Sequence, residues 1–191
     1  VSSLGAMNRY KDRYKLISSF NVNIYNHKAL EFYKEQGISE AAVSIEIKRN
    51  ELAELISRSE IPLELTAHGP LKVMYLDHNL YDNTGELEPI YVDNSILVLK
   101  TEKGENPVYI DQTGKNHLFT AKEFCILPIL DTLNFDAPVN LRIEGQTYTT
   151  RQLQKLIEIY KEALKDPSRA GDLYENMKSV RGGFTLGALT F

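Results

Sequence analysis

Among the 191 residues there is one cysteine, Cys125, so the chain cannot form an internal disulfide. A chain without disulfides is at home in a reducing compartment, and the cytoplasm is the expected location. Apolar residues make up 42% of the chain, yet no unbroken apolar run approaches the roughly 20 residues that a membrane-spanning helix needs, so no membrane partner is expected. Acidic residues number 26 against 22 basic ones, a net of -4, and neither sign gathers into a long block. A broad basic footprint for nucleic acid is therefore missing, which leaves only local patches. The opening VSSLGAMNRY has no starting methionine, no charged n-region and no apolar stretch of signal-peptide length, and the expectation is a piece of a longer protein.

Several catalytic signatures are missing too. There is no HExxH helix for a zincin, no GxSxG elbow for a serine hydrolase, and RGGFTLG matches neither the Walker pattern nor the dinucleotide fingerprint, so its glycines read as turn formers. Cys125 has no helix start or basic neighbourhood to depress its pKa and reads as a small buried hydrophobe on a helix. The acidic run Asp77, Asp82, Glu86 and Glu88 fails the EF-hand spacing and reads as a solvated loop, and no metal ligands are assigned.

What is present is a rhythm. Residues 16–25 (LISSFNVNIY) read as a strand, followed by a helix with Asn26 as N-cap and Gly37 as its stop. Residues 41–47 (AAVSIEI) read as a second strand, followed by a helix carrying Leu52, Leu55 and Ile56, with Asn50 as its cap; PLELTAHG reads as a third strand, closed by Gly69 and Pro70. Strands recurring at this interval, with helices between them, are the pattern of a parallel sheet covered by helices. Residues 76–122 then read as a loop and a small antiparallel insertion, with a hairpin turn at Thr113 and Gly114. In residues 123–191, FCILPILDTLNF resumes helical character, PVNLRIEG is a further strand, and TTRQLQKLIEIYKEALKDP is the longest helix, with Leu153, Leu156, Ile157, Tyr160 and Leu164 on one face. The expected organisation is βα units over 1–75, the insertion over 76–122, and a strand with long helices over 123–191 that completes the first domain.

Polar residues stand at the ends of the strands: Asn23 and Asn26, Ser44 and Glu46, His68, then Arg142 and Glu144. Residues two apart on a strand share a face, so Ser44 pairs with Glu46 and Arg142 with Glu144. Arg142 and Glu144 either satisfy each other or face a substrate. His68 beside Glu46 on a neighbouring strand would make a general base or half of a metal-binding pair; the alternative is a histidine that ties down the Gly69–Pro70 turn. His27, His78 and His117 read as solvated.

The ordered set FNVNIYN, VSIEI, LTAHGPLKVMY, HLFTAKEFCILPIL, LRIEG before a tyrosine-bearing helix, and RGGFTLG resembles the collagenase-like peptidase family, family 32 among the peptidases of unknown mechanism, from about Leu4 to Leu189. The resemblance implies an α/β fold: the second half of a TIM-like (β/α) barrel, carrying the antiparallel insertion. A full barrel needs eight strands, so the open sheet edge would be covered by a missing N-terminal half or a second copy of the chain. Founding members are described as proteases, which implies a hydrolase acting on protein or peptide with Glu46 and His68 as catalytic residues and Asn23, Asn26, Arg142 and Glu144 as substrate-binding residues, by an unknown mechanism in which a metal ion is one option. Other members hydroxylate RNA bases or serve ubiquinone synthesis, with an iron-sulfur cluster on four cysteines. Residues 79–106 contain none of the first three, and Cys125 alone matches the fourth, so a cluster is not expected and the cofactor stays open. The alternative function is a non-catalytic or accessory member that binds a partner protein or RNA in RNA-base modification. On either reading, Asn23, Glu46, His68 and Glu144 are expected to converge on one rim.

Overall fold

Leu63, Leu65 and Ala67 alternate with Glu64, Thr66 and His68, and this period of two forms the central strand of a mixed α/β fold, β3 (Leu63–Gly69, numbered along the chain). The computed structural model describes all residues except 81–89, 94–95, 103, 136 and 180–181, and of residues 90–93 and 96 only the backbone. Leu63 is in register with Ala41 of β2 (Ile38–Ala42) and with Val139 of β10 (Val139–Ile143), both parallel to β3, so these two strands lie on opposite edges. Strand β1 (Leu16–Ile17) extends the sheet beyond β2, again in parallel. His68 is in register with both Ile143 and Cys125, which places the antiparallel β9 (Glu123–Cys125) on the edge that β2 vacates; β11 (Phe184–Thr185) then lies parallel to β9.

The four parallel strands run β1-β2-β3-β10 in space as they do along the chain. Helices α2 (His27–Glu35) and α3 (Arg49–Arg58) fill the first two crossovers, and α4 (Thr150–Lys165) follows β10. Leu30, Leu52, Leu55, Ile56, Leu156 and Tyr160 from these helices share one core with Leu63, Leu65 and Ala67. Each fully buried leucine or isoleucine contributes about 1.5–3 kcal/mol to this packing. On the other side of β3 polar groups link across the strands: the Asn140 amide donates to Glu40 at 2.8 Å and Arg142 to Glu64 at 3.2 Å.

A separate five-stranded antiparallel sheet has the order β4-β8-β7-β6-β5, from β4 (Lys72–Leu76), β5 (Ile90–Asp93), β6 (Ile96–Thr101), β7 (Gly104–Ile110) and β8 (Asn116–Phe119), around a small core of Leu97, Val108 and Leu118. It opens at Lys72, directly after the third strand. Asp111 holds the hairpin turn by accepting backbone bonds from Thr113 and Lys115, and Gly114 takes φ +80° there. Of the acidic run, Asp82, Glu86 and Glu88 lie outside the described residues.

Several local expectations are corrected. The strand over 16–25 shrinks to β1, because Ser19 caps a 3₁₀ turn at Phe20–Val22 and Asn23 takes a left-handed φ of 61°; short polar side chains compete here with the ladder, and only Ile24 bridges back, to Val43. The strand over 41–47 is displaced to β2, and Glu46 donates its backbone N–H to the Ser44 hydroxyl in a turn, so Ser44 and Glu46 do not share a strand face. Lys48, not Asn50, is the cap of α3. Cys125 sits on a strand rather than a helix, and the residues after it form a 3₁₀ segment, Leu127–Thr132, with Pro128 at its start. On α4 the buried stripe is Leu156, Tyr160 and Ala163, while Ile157 and Leu164 are exposed. The remaining α-helices described are the opening α1 (Leu4–Tyr10) and the short α5 (Ala170–Glu175). Among the described residues, no helix is long and apolar enough to cross a membrane.

Candidate functional site

His68 lies near the end of β3, where the register with β10 shifts between Arg142 and Ile143, and it is only 2% exposed. Its ring does not serve the Gly69–Pro70 turn. It lies among Tyr148, Tyr160 and Phe184, with ring centroids 6.2, 5.7 and 5.6 Å away. The Tyr160 hydroxyl, carried inward on the buried stripe of α4, donates to the Ala67 carbonyl at 2.7 Å, so its lone pairs are free to accept from His68 Nδ1 at 3.3 Å. That assigns the Nδ1 proton and turns Nε2 toward Glu123 Oε2, 3.6 Å away and equally buried. The Tyr148 hydroxyl donates to the same Oε2 at 2.8 Å.

His68 and Glu123 thus set an imidazole and a carboxylate side by side in a buried site, a unit of the residue types suited to general acid–base work. Burial, and then Glu123, push the Tyr148 hydroxyl above the usual tyrosine range; burial, and then Cys125, do the same to Tyr160, so both stay protonated as donors. The unit sits at the wall of a cleft of about 510 Å³ whose other polar lining comes from Gln152, Lys155, Asn176, Lys178 and Ser179.

The expected rim divides into separate places. Arg142 and Glu144 face a second cleft of about 400 Å³, between the parallel strands and the antiparallel sheet, together with Thr66, Lys72, Asp111 and His117. Arg142 donates through Nε to Glu144 at 2.5 Å and to Glu64, which is the mutually satisfied arrangement. Burial works to lower its pKa and is outweighed by Glu144 and Glu64, which raise it. His117 is held at 2.9 Å by Asp111 rather than merely solvated. Asn26 is the N-cap of α2, accepting from Ala29 at 2.8 Å. Asn23 accepts from the Ser44 hydroxyl at 2.6 Å, and Glu46 is exposed on its turn. The carboxylate beside His68 is that of Glu123, not Glu46. Glu123, Tyr148 and Tyr160 are the site residues that sequence reasoning missed, although Glu123 stands two before Cys125 and so shares its strand face.

The family model described as Peptidase family U32 matches residues 1–181. The chain belongs to peptidase family U32. One curated member-like protein, tRNA hydroxylation protein P2 of Bacillus subtilis (strain 168), is 22% identical over 162 residues, covering 80% of this chain and 52% of that protein. The U32 chain described here thus spans about half the length of that relative. No solved structure matches it with comparable significance. Four-thiolate iron-sulfur clusters of the U32 family do not fit this chain: Cys125 is its one thiol, faces the Tyr160 hydroxyl at 3.8 Å, and is pushed up to about 11 by burial. Among the described residues, no group of three or more His, Cys, Asp or Glu side chains is placed to hold a metal ion.

Proposed function

We propose that this chain works in RNA-base modification, as an RNA-binding member of family U32 that carries no iron-sulfur cluster of its own, and that its strands β1-β2-β3-β10 are part of a TIM-like barrel completed outside this chain. The observation that carries this reading is the similarity to a tRNA hydroxylation protein over most of the chain. The geometry supports it. The His68–Glu123 unit can exchange a proton with a bound base, Tyr148 offers a ring and a hydroxyl, and Lys155 and Lys178 on the lips of the cleft suit phosphate oxygens. The peptidase reading has less to stand on: the one thiol is held protonated by burial, which removes it as a nucleophile at neutral pH.

The test is nucleoside analysis of tRNA from a host lacking the gene, complemented with the wild-type gene or with His68→Ala or Glu123→Gln. A hydroxylated nucleoside should disappear with the gene, return with the wild type, and stay low with either variant. Unchanged tRNA together with gelatin cleavage by the purified chain would reverse the assignment.

A further inference from the structure

The segment from Arg9 to Lys15, RYKDRYK, holds four cations, one acid and two tyrosines in seven residues of a chain whose net charge is -4. It runs from the end of α1 into the turn before β1, and every residue in it is exposed. Tyr14 is 65% exposed, and its ring meets that of Tyr10 edge to face at 5.9 Å, a pair of aromatic surfaces open to solvent. Arg9 lies over the Tyr10 ring at 5.7 Å. Some lysines and arginines are held by carboxylates, among them Lys28, Lys34, Arg58 and Lys161, and others, such as Lys72 and Lys165, are not; Arg9, Lys11, Arg13 and Lys15 take part in none of the ion pairs among the described residues, and they stand together within one short segment.

Unpaired cations with exposed aromatic faces between them are what unpaired RNA asks of a surface: charges that replace counterions along the phosphates, and flat rings on which splayed bases stack. We infer that Arg9, Tyr10, Lys11, Arg13, Tyr14 and Lys15 form a docking surface for a single-stranded segment of RNA. The inference rests on the proposed role in RNA modification and adds a second contact, apart from the cleft, that fixes how the RNA is held. The remaining acid, Asp12, is too few to cancel the field of its four neighbours at physiological salt.

The test is fluorescence anisotropy of the 191-residue chain with an unmodified tRNA transcript, titrated at several salt concentrations. The variant Arg9→Gln/Lys11→Gln/Arg13→Gln/Lys15→Gln should weaken binding at least about tenfold and flatten the salt slope by about 3. Tyr14→Ala should weaken it roughly tenfold with little change of slope, and Tyr14→Phe should retain affinity because the ring is kept. All substitutions are on exposed side chains, and matched thermal melts confirm the fold. Wild-type affinity in the quadruple variant overturns the docking surface and leaves the proposed function standing; failure of the wild-type chain to bind tRNA overturns both. Loss of a dimer in the quadruple variant, with tRNA binding unchanged, would assign the surface to a second copy and overturn the inference.

Discussion

Removing one oxygen atom, in Tyr160→Phe, probes the proton assignment on which the candidate site depends. The hydroxyl donates to the Ala67 carbonyl, but that carbonyl also accepts from the Ile126 N–H at 3.0 Å, so it keeps a partner and the loss there is about 0.5–1.5 kcal/mol. His68 Nδ1 is left facing a phenyl edge on a ring that is 2% exposed, which adds about 1–3 kcal/mol for an unsatisfied buried donor. The expected total is about 2–4 kcal/mol. For a chain of this size that lowers the melting temperature by about 5–15 °C, read by circular dichroism or by the urea midpoint. In a His68→Ala background the same change should cost only the Ala67 share, about 1 kcal/mol, so the double-mutant cycle isolates the His68–Tyr160 contact. A cost below about 0.5 kcal/mol in the wild-type background, or an equal cost in both, would refute the claim that Tyr160 sets the histidine proton.

Gly69→Ala should be more damaging, because Gly69 takes φ +116° and an added Cβ would meet the Glu144 backbone carbonyl; about 3 kcal/mol or more is expected in urea unfolding, and a loss under 1 would contradict the close approach. Cys125 should resist alkylation in the native chain at pH 8 and react promptly once unfolded. Burial raises its folded pKa from 9.0 to about 11, so the stability from the neutral thiol is complete below pH 9 and drains away as pH climbs toward 11; rapid native labelling at pH 8 would contradict this. Arg142→Ala should cost less than about 1 kcal/mol, since the side chain is 42% exposed and its ion pairs are screened by water; a larger loss on thermal unfolding would show them to be better shielded than the structure has them.

Asn26 and Gly37 marked the limits of α2 correctly because a cap and a positive-φ glycine are local chemistry, visible without any partner. The βα rhythm and the antiparallel strands were legible for the same reason, as period and turn residues are written into short stretches. The His68 site was not. Its carboxylate comes from β9, more than fifty residues later, and its tyrosines from the turn before α4 and from α4 itself, and no spacing rule links these segments. Glu46 drew attention as part of an alternating strand, but Ser44 ended that strand by accepting the Glu46 N–H. Cys125 was placed on a helix because FCILPIL is uniformly apolar, and periodicity alone does not separate a buried strand from a buried helix.

The most direct test of the account is ultraviolet crosslinking of the chain to tRNA, followed by mapping of the linked peptides. Crosslinks should fall on the peptides bearing Tyr148, Lys155 and Lys178 around the His68–Glu123 cleft. A chain that gives no crosslink in that cleft, yet cleaves gelatin with the same residues, would contradict it.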